Sequence, residues 1–372
     1  MGWKSCEIYK RSCSLINNII MKNIAIFIPS LKAGGAEKQA TLLATVLDKH
    51  YNVDMYLLYG DGEAAPQNIE LLRKTNVVIH SLDGTLWSKI HKLKVSLKEN
   101  KTDVLLNYLT SCDVIGAIAG RFAGVDRIYG GIRNARVEWT KMVADKIAHN
   151  LIATGSVYNC YSGAEYFTSK GYKANRNTVI PNCFLNIADS IIRIDKSIKD
   201  IVTVGRFVPQ KDYLTIIKTI AKLKDIRHDF MMNIIGYGVE EENIRGWIEE
   251  YGVEKYINIH IRPNNVQEIV KDSDIYLSTS LFEGTSNSIM EALNWSLPVV
   301  ATNVGDNDHL VIDGETGFLY PIGDAESLAH SLARLLESSE LRNQMGIKGN
   351  KNLRDNYSME IFEKRYLELI EG

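Results

Sequence analysis

Two glutamates, Glu283 and Glu291, stand eight residues apart around a run of small or polar residues, Gly284, Thr285, Ser286, Asn287 and Ser288. The first follows a strand-like run at 274–280. The second falls on the opening turns of a helix expected at 287–294. A helix start leaves backbone N–H groups unpaired and favours an anion. Open amides donate to phosphate or sugar oxygens, and carboxylates accept from sugar hydroxyls. The set suits a polyhydroxylated, phosphate-bearing ligand. Taken alone, it also fits a paired-carboxylate acid–base site.

A second constellation lies upstream. The strand expected at 201–205 ends at Gly205, and Arg206 and Lys211 flank a short turn at the head of the next helix. Two fixed cations at such an edge could neutralise a diphosphate leaving group without a metal. Gly34 and Gly35 follow the first expected strand and open the first helix, where close backbone approach and a helix N-terminus favour an anion. A purely structural turn gives the same string. Arg133 and Asn134, at the end of the strand expected at 127–132, are candidates for contact with an acceptor or a donor phosphate. Arg121, Arg127 and Arg136 read as surface charges.

The elements that must position these residues alternate. Apolar strands are expected at 23–29, 53–59, 77–82, 103–109, 127–133, 151–154 and 178–181, with helices near 35–49, 87–99, 113–123, 138–149 and 157–169. The second half repeats the scheme, with strands at 201–205, 230–235, 257–260, 274–279 and 298–302. Its helices are expected near 212–224, 240–251, 287–294 and 324–336. Strands apolar along their whole length argue for parallel sheets covered on both faces. The fold class is therefore α/β, with two doubly wound sheets and a ligand cleft at their carboxyl-end edges. Residues 21–183 are assigned to an N-terminal domain and 184–357 to a C-terminal one, with the linker from Cys183 to Lys199. A last helix in 358–372 could pack on either domain. Residues 1–20 read as an extension ahead of a natural start at Met21, without the unbroken apolar stretch of a signal peptide.

With 372 residues, 45% apolar and 24% charged, the chain has the composition of a soluble globular protein large enough for two cores. Its charge is divided. Residues 1–183 carry 23 Lys and Arg against 15 Asp and Glu, and residues 184–372 carry 20 against 30. The basic half is expected to face something anionic. None of the five cysteines (Cys6, Cys13, Cys112, Cys160, Cys183) has metal-ligand or disulfide-framework spacing, which fits a reducing cytosol. Asp272 and Asp274 precede a strand, away from the cleft, and read as caps or turn formers. Asp306 and Asp308 read as a polar loop at the cleft end. No metal site is assigned.

In order and spacing, these segments resemble the family-4 retaining glycosyltransferases (glycosyl transferases group 1), whose GT-B fold is two facing Rossmann-like domains. The matching pieces are Ser30–Lys38, Val179–Asn182, Val204–Arg206 with Lys211 and Asp212, Glu283–Ala292, Pro298–Thr302, Val304–Gly305 and Asp313–Phe318. The resemblance implies that Glu283 contacts hydroxyls of the donor sugar and Glu291 the ribose hydroxyls. Backbone amides from Gly284 to Asn287 meet the sugar and diphosphate. Arg206 and Lys211 stabilise the leaving diphosphate, and the Gly34–Gly35 loop closes from the other domain. Gly205, Asn182 and Ser288 belong to the same donor-binding set. No cofactor and no divalent ion is expected, and the leaving phosphate itself takes the acceptor's proton.

The chain departs from the family pattern at several places. Cys183, Phe184 and Leu185 follow Asn182 in place of glycine, an aliphatic residue and aspartate. Asp306 and His309 stand where a second glycine and a glutamate often occur. Ile261–Asn265 lacks the glycine expected near the nucleobase, and Asn107–Asp113 lacks the usual histidine. The implied activity is transfer of a hexose or N-acetylhexosamine from a nucleotide-diphosphate sugar, UDP favoured over GDP. The acceptor is a glycan or lipid-linked hydroxyl in cell-surface polysaccharide synthesis, and no nucleic acid partner is expected. An epimerase of the same fold and a non-catalytic partner subunit are the competing readings. The second would have lost Arg206, Lys211, Glu283 or Glu291, and all four are present. The stretch Leu86–Lys98 places Leu86, Ile90, Leu93 and Leu97 on one helical face beside Trp87 and several lysines. It is expected chiefly to cover the sheet, with loose attachment to the inner face of the cell membrane as a second role.

Overall fold

The computed structural model describes residues 21–372 except 61, 63 and 134–137. The readings made for residues 1–20, Cys6, Cys13, Asn134 and Arg136 lie outside the described residues. The strands of the first sheet are β1 Asn23–Ile28, β2 Asn52–Leu57, β3 Val78–Ser81, β4 Val104–Asn107, β5 Arg127–Ile132, β6 Gly155–Tyr158 and β7 Asn177–Val179. They run parallel in the order β3-β2-β1-β4-β5-β6-β7. Between them lie α1 Gly35–Leu47, α2 Pro66–Leu72, α3 Leu86–Glu99, α4 Thr110–Ala123, α5 Trp139–Ile147 and α6 Tyr161–Ser169. The second sheet is also parallel, in the order β10-β9-β8-β11-β12-β13. Its strands are β8 Lys199–Arg206, β9 Phe230–Tyr237, β10 Ile257–Ile261, β11 Ile275–Ser278, β12 Val299–Thr302 and β13 Gly317–Tyr320. Its helices are α7 Tyr213–Leu223, α8 Glu241–Glu250, α9 Val266–Asp272, α10 Asn287–Asn294, α11 Asn307–Leu310, α12 Ala325–Glu337 and α13 Ser339–Tyr357, and α14 Met359–Glu371 ends the chain.

Each sheet is covered on both faces, as strands without a polar side require. Leu42, Leu43 and Leu47 of α1 close one face of the first sheet. Leu93 and Leu97 of α3 close the other, with Cys112 and Ile115 of α4. In the second sheet, Ile216 and Ile220 of α7 pack with Leu328 and Leu332 of α12. Ile289 and Leu293 of α10 and Leu353 of α13 cover its opposite face. The order reverses direction between β1 and β4 in one sheet and between β8 and β11 in the other. Those switch points open ligand crevices at strand carboxyl ends.

One expected strand lies elsewhere. The run at 151–154 forms part of a π-helical turn, Ala148–Ile152, and the strand is β6, four residues on. Leu151 and Ile152 carry the apolar signal, but the backbone stays helical until the Ala153 N–H donates to Ala148 O. Gly155 starts β6 because a Cβ there would meet Arg176 O at 2.5 Å. The helix expected from 157 accordingly begins at Tyr161. Helices α2, α9, α11 and α13 and strand β13 were not anticipated; α13 is polar enough to hide its buried Met345 and Leu353.

The chain crosses between domains twice, side by side. The Phe184 N–H donates to Tyr357 O at 2.7 Å. At the first crossing, Cys183 and Gln39 of α1 exchange hydrogen bonds of 3.1 and 3.0 Å, and burial pushes the Cys183 thiol up to about 12. The linker beyond has no regular structure. Its Arg193 is fixed by donating to the carbonyls of Lys271, Ser273, Trp295 and Ser296. After the second crossing, α14 returns to the N-terminal domain, where Phe362, Tyr366 and Ile370 join the core around α1. Lys22 pairs with Glu371 at 2.6 Å, and Arg127 Nη1 donates to Ile370 O at 2.9 Å. Phe362→Ala should therefore lower N-terminal domain stability by about 3–5 kcal/mol. Denaturant unfolding followed by tryptophan fluorescence reads this as an earlier first transition, and an unmoved curve would mean that α14 is an appendage.

Candidate active site

The carboxyl edge of the second sheet is assembled by hydrogen bonds between two loops. Thr279 Oγ1 donates to Lys211 O and Asp212 O, at 3.0 and 2.9 Å. The Leu281 N–H reaches Gln210 O at 2.8 Å, and Gln210 Nε2 reaches Phe282 O at 2.8 Å. Asp212, in the left-handed region with φ 47°, caps α7 through Thr215. These ties bring Lys211 Nζ to 2.6 Å from Glu283 Oε1, with side-chain exposures of 21% and 10%. Gly205 leaves room for this, since a Cβ there would press on Lys211 Cε at 3.3 Å. Lys211 is therefore not a free cation, because it neutralises Glu283. Arg206 ends β8 exposed, with no ion pair to the described residues, and is the open positive charge of this edge.

The loop after Glu283 leads into α10. Ser286 is its buried N-cap residue and gives no side-chain cap, so the first amides of α10 meet only neighbouring loop atoms and the cleft. Ser286 and Ser288 hydroxyls lie 3.3 Å apart. Glu291 is partly buried one turn into α10. Burial raises its pKa, opposed by a hydrogen bond from Gln267 and by the charge of Lys38, which α1 brings from the other domain. Thr285 Oγ1 donates across the cleft to Asn159 O at 2.9 Å. In the first domain, Gly34 is extended and its absent Cβ leaves space that the Glu37 carboxylate occupies, 2.1 Å from where that Cβ would lie. Gly35 faces open space.

Arg133 follows β5 and forms the floor of the cleft. Its guanidinium lies over the Tyr108 ring at 4.5 Å and donates to Asn182 Oδ1 at 3.0 Å and to Tyr366 OH at 2.9 Å. Its Nε is sealed from solvent without a partner, and no carboxylate among the described residues forms an ion pair with it, the buried Asp113 acting only through its charge. A half-buried cation hydrogen-bonded only to neutral groups favours an anionic ligand. A cavity of about 410 Å3 lies between the domains, lined by Gly35, Arg133 and Asn182 on one side and by Gly284, Thr285 and Asn287 on the other. A larger hollow of about 470 Å3 on α6 lies among Tyr161, Glu165 and Thr168, away from both switch points. Arg206, Lys211, Glu283 and Glu291 stand along the C-terminal edge, outside the cavity lining. Sequence reasoning missed the residues that hold this geometry: Gln39, Tyr108, Asn159 and Tyr366. Their partners are remote in sequence, so no local spacing marks them.

The two Asp-x-Asp strings are both structural. Asp274 is buried at the amino end of β11, accepting from the Asp200 N–H at 2.9 Å and pairing with Lys196 at 3.3 Å. Asp306 accepts from two backbone N–H groups of the other domain. Among the described residues, no group of three His, Cys, Asp or Glu side chains is placed to hold a metal ion.

Comparison with known proteins bears on the fold and on the second domain. Lipopolysaccharide core biosynthesis glycosyltransferase LpsE of Rhizobium meliloti (strain 1021) is 26% identical over 170 residues, 46% of this chain and 49% of that protein. The chain thus spans about half the length of this relative. An uncharacterized glycosyltransferase of Haemophilus influenzae is 25% identical over 353 residues, covering 91% of this chain and 97% of that one. The crystal structure of Anabaena HepE in complex with UDP superposes with a TM-score of 0.78 at 18% identity, over 94% of this chain and 100% of that one. The two facing domains are those of the GT-B fold. Residues 187–352, which hold Arg206, Lys211, Glu283 and Glu291, match the family model of the glycosyl transferases group 1.

Proposed function

We propose that the chain transfers a hexose or N-acetylhexosamine from a nucleotide-diphosphate sugar to a hydroxyl of a glycan or lipid-linked acceptor, with retention of anomeric configuration. The observation that carries this reading is the Lys211–Glu283 pair at 2.6 Å, set between open Arg206 and the uncapped start of α10. The diphosphate lies at the cations and the helix start, where its charge is offset as it leaves. Glu283 accepts from hydroxyls of the sugar, and Glu291 from the ribose. Lys211 is then shared between Glu283 and the nearest phosphate oxygen. The bond from the anomeric carbon to the phosphate oxygen breaks as the bond to the acceptor oxygen forms on the same face. The acceptor's proton passes to the released diphosphate. Arg206 and Lys211 supply the cationic charge, so no divalent ion is required in this reading. Arg133 meets an anionic group of the acceptor or the donor.

The UDP in the HepE complex supports a UDP-sugar donor, and the lipopolysaccharide role in the name of LpsE supports a cell-surface glycan acceptor. No helix among the described residues is long and apolar enough to cross a membrane. Attachment to the inner face would use exposed Tyr59, Trp87 and Trp139 beside Lys89 and Lys141. The inner positions of α3 do not contribute, since Leu93 and Leu97 are buried on the sheet.

A panel of UDP- and GDP-sugars tests the reading through protection against thermal unfolding and product analysis. At least one donor should raise the melting temperature and be consumed when a glycan acceptor is added. Protection by no nucleotide sugar would refute the proposal. With the donor found, Lys211→Ala should lower kcat by roughly 10²-fold or more while moving the melting temperature by only a few degrees. Equal losses would make the pair structural.

The raised pKa of Glu291 sets the acid limb of donor binding. Only the ionised carboxylate accepts from both ribose hydroxyls, so affinity should rise with pH through that pKa and level off above it. The limb should lie higher than for an ordinary glutamate. Titration calorimetry between pH 4 and 8 with a UDP-sugar, whose diphosphate does not titrate in that range, measures it, and Glu291→Gln should abolish the slope. If the slope survives in that variant, another group titrates. Sedimentation with anionic vesicles at low salt should carry down the wild type and leave Trp87→Ser mostly in the supernatant, and equal sedimentation of the two would exclude this face.

A further inference from the structure

Asp306 is almost fully buried, 1% exposed, yet its carboxylate belongs to neither the donor machinery nor a pair with a cation. It accepts the backbone N–H groups of Tyr161 at 2.7 Å and Ser162 at 2.9 Å, the opening amides of α6 in the other domain. α6 has no cap from its own N-cap residue, Cys160. Charge-assisted bonds at a helix N-terminus are the strong kind, and here they cross the cleft. The same residue grips the donor loop from behind, because its own N–H donates to Gly284 O at 3.3 Å. Gly305, with φ +58°, lies so close beneath that loop that a Cβ would meet Glu283 O at 2.4 Å. Two further contacts span the same gap, Thr285 Oγ1 to Asn159 O and His309 stacked on Tyr161 at 4.0 Å between ring centroids.

We propose that Asp306 is a positioning residue that clamps the donor loop, residues 283–288, to the N-terminal domain and fixes the distance between the sugar and the acceptor wall. The clamp rests on the transferase reading above for its effect on turnover, but not for its effect on shape. A misplacement of about 1 Å between reacting groups can cost about 10²-fold in rate.

The test compares wild type, Asp306→Ala and the isosteric Asp306→Asn by small-angle scattering without ligand, by UDP titration and by steady-state kinetics. Asp306→Ala should show a larger radius of gyration, a UDP dissociation constant within about twofold of wild type and a kcat lower by at least tenfold. Asp306→Asn keeps one acceptor oxygen and should fall between, and it carries the test if the alanine variant does not fold. Wild-type kcat, unchanged scattering, or parallel losses of kcat and UDP affinity in these variants would overturn the proposal. If wild type turns over no donor, the transferase reading fails on its own, while scattering still judges the clamp.

Discussion

Parallel pairing of every strand sends each strand-to-helix turn to one edge of its sheet, and the chemistry of this protein is confined to two such edges that face each other. That constraint explains why residues as distant as Gly35, Arg133, Asn182 and Gly284 line one cavity. It also explains why the amino ends of the strands hold only structural polar groups. Asp274 sits at such an end with Asp200 and Lys196, and it serves strand spacing and linker attachment.

Within the cleft, the balance of charge decides what each group can do. Lys211 and Glu283 form a mutually compensating, largely shielded ion pair. Arg206 is open to solvent, and Arg133 is enclosed by an aromatic ring, an amide and a phenol. The cleft thus holds one compensated pair, two guanidinium groups without an ion pair among the described residues, and the carboxylates of Glu37 and Glu291. Arg206 and Arg133, each without an ion pair among the described residues, are the points of the gap where an anion carried by a ligand is favoured.

Much of this was legible in the chain. The alternation of apolar strands and amphipathic helices gave the two sheets because strands buried on both faces show their apolar character without periodicity. Glu283, Arg206 and Lys211 were found because each lies within a few residues of a strand end. The failures have physical causes. Leu151 and Ile152 look like a strand because apolar content does not distinguish four residues of strand from a helical turn. Helix α13 was missed because burial there falls on Arg342, Gly346, Gly349 and Asn350 as much as on apolar residues. The ion pair of Lys211 with Glu283 spans 72 positions, and the bonds of Arg133 to Tyr366 span 233, so neither leaves a local trace.

The two crossings of the chain give the last constraint on how the cleft works. They run together at Phe184 and Tyr357, so the domains are joined along one line. The contacts of Asp306, Thr285 and His309 join them again around the start of α6. A rotation about the crossings would open the cleft where those contacts must break. Through such a rotation α14 would stay with the first domain, since Phe362, Tyr366 and Ile370 belong to its core, and Tyr366 would keep its hold on Arg133. The first-domain wall of the cleft is therefore rigid in itself, and the variable is its distance from residues 283–288. Strong contacts at a hinge fix only the direction of motion. Contacts on the far side of the cleft set how much of the time it is closed.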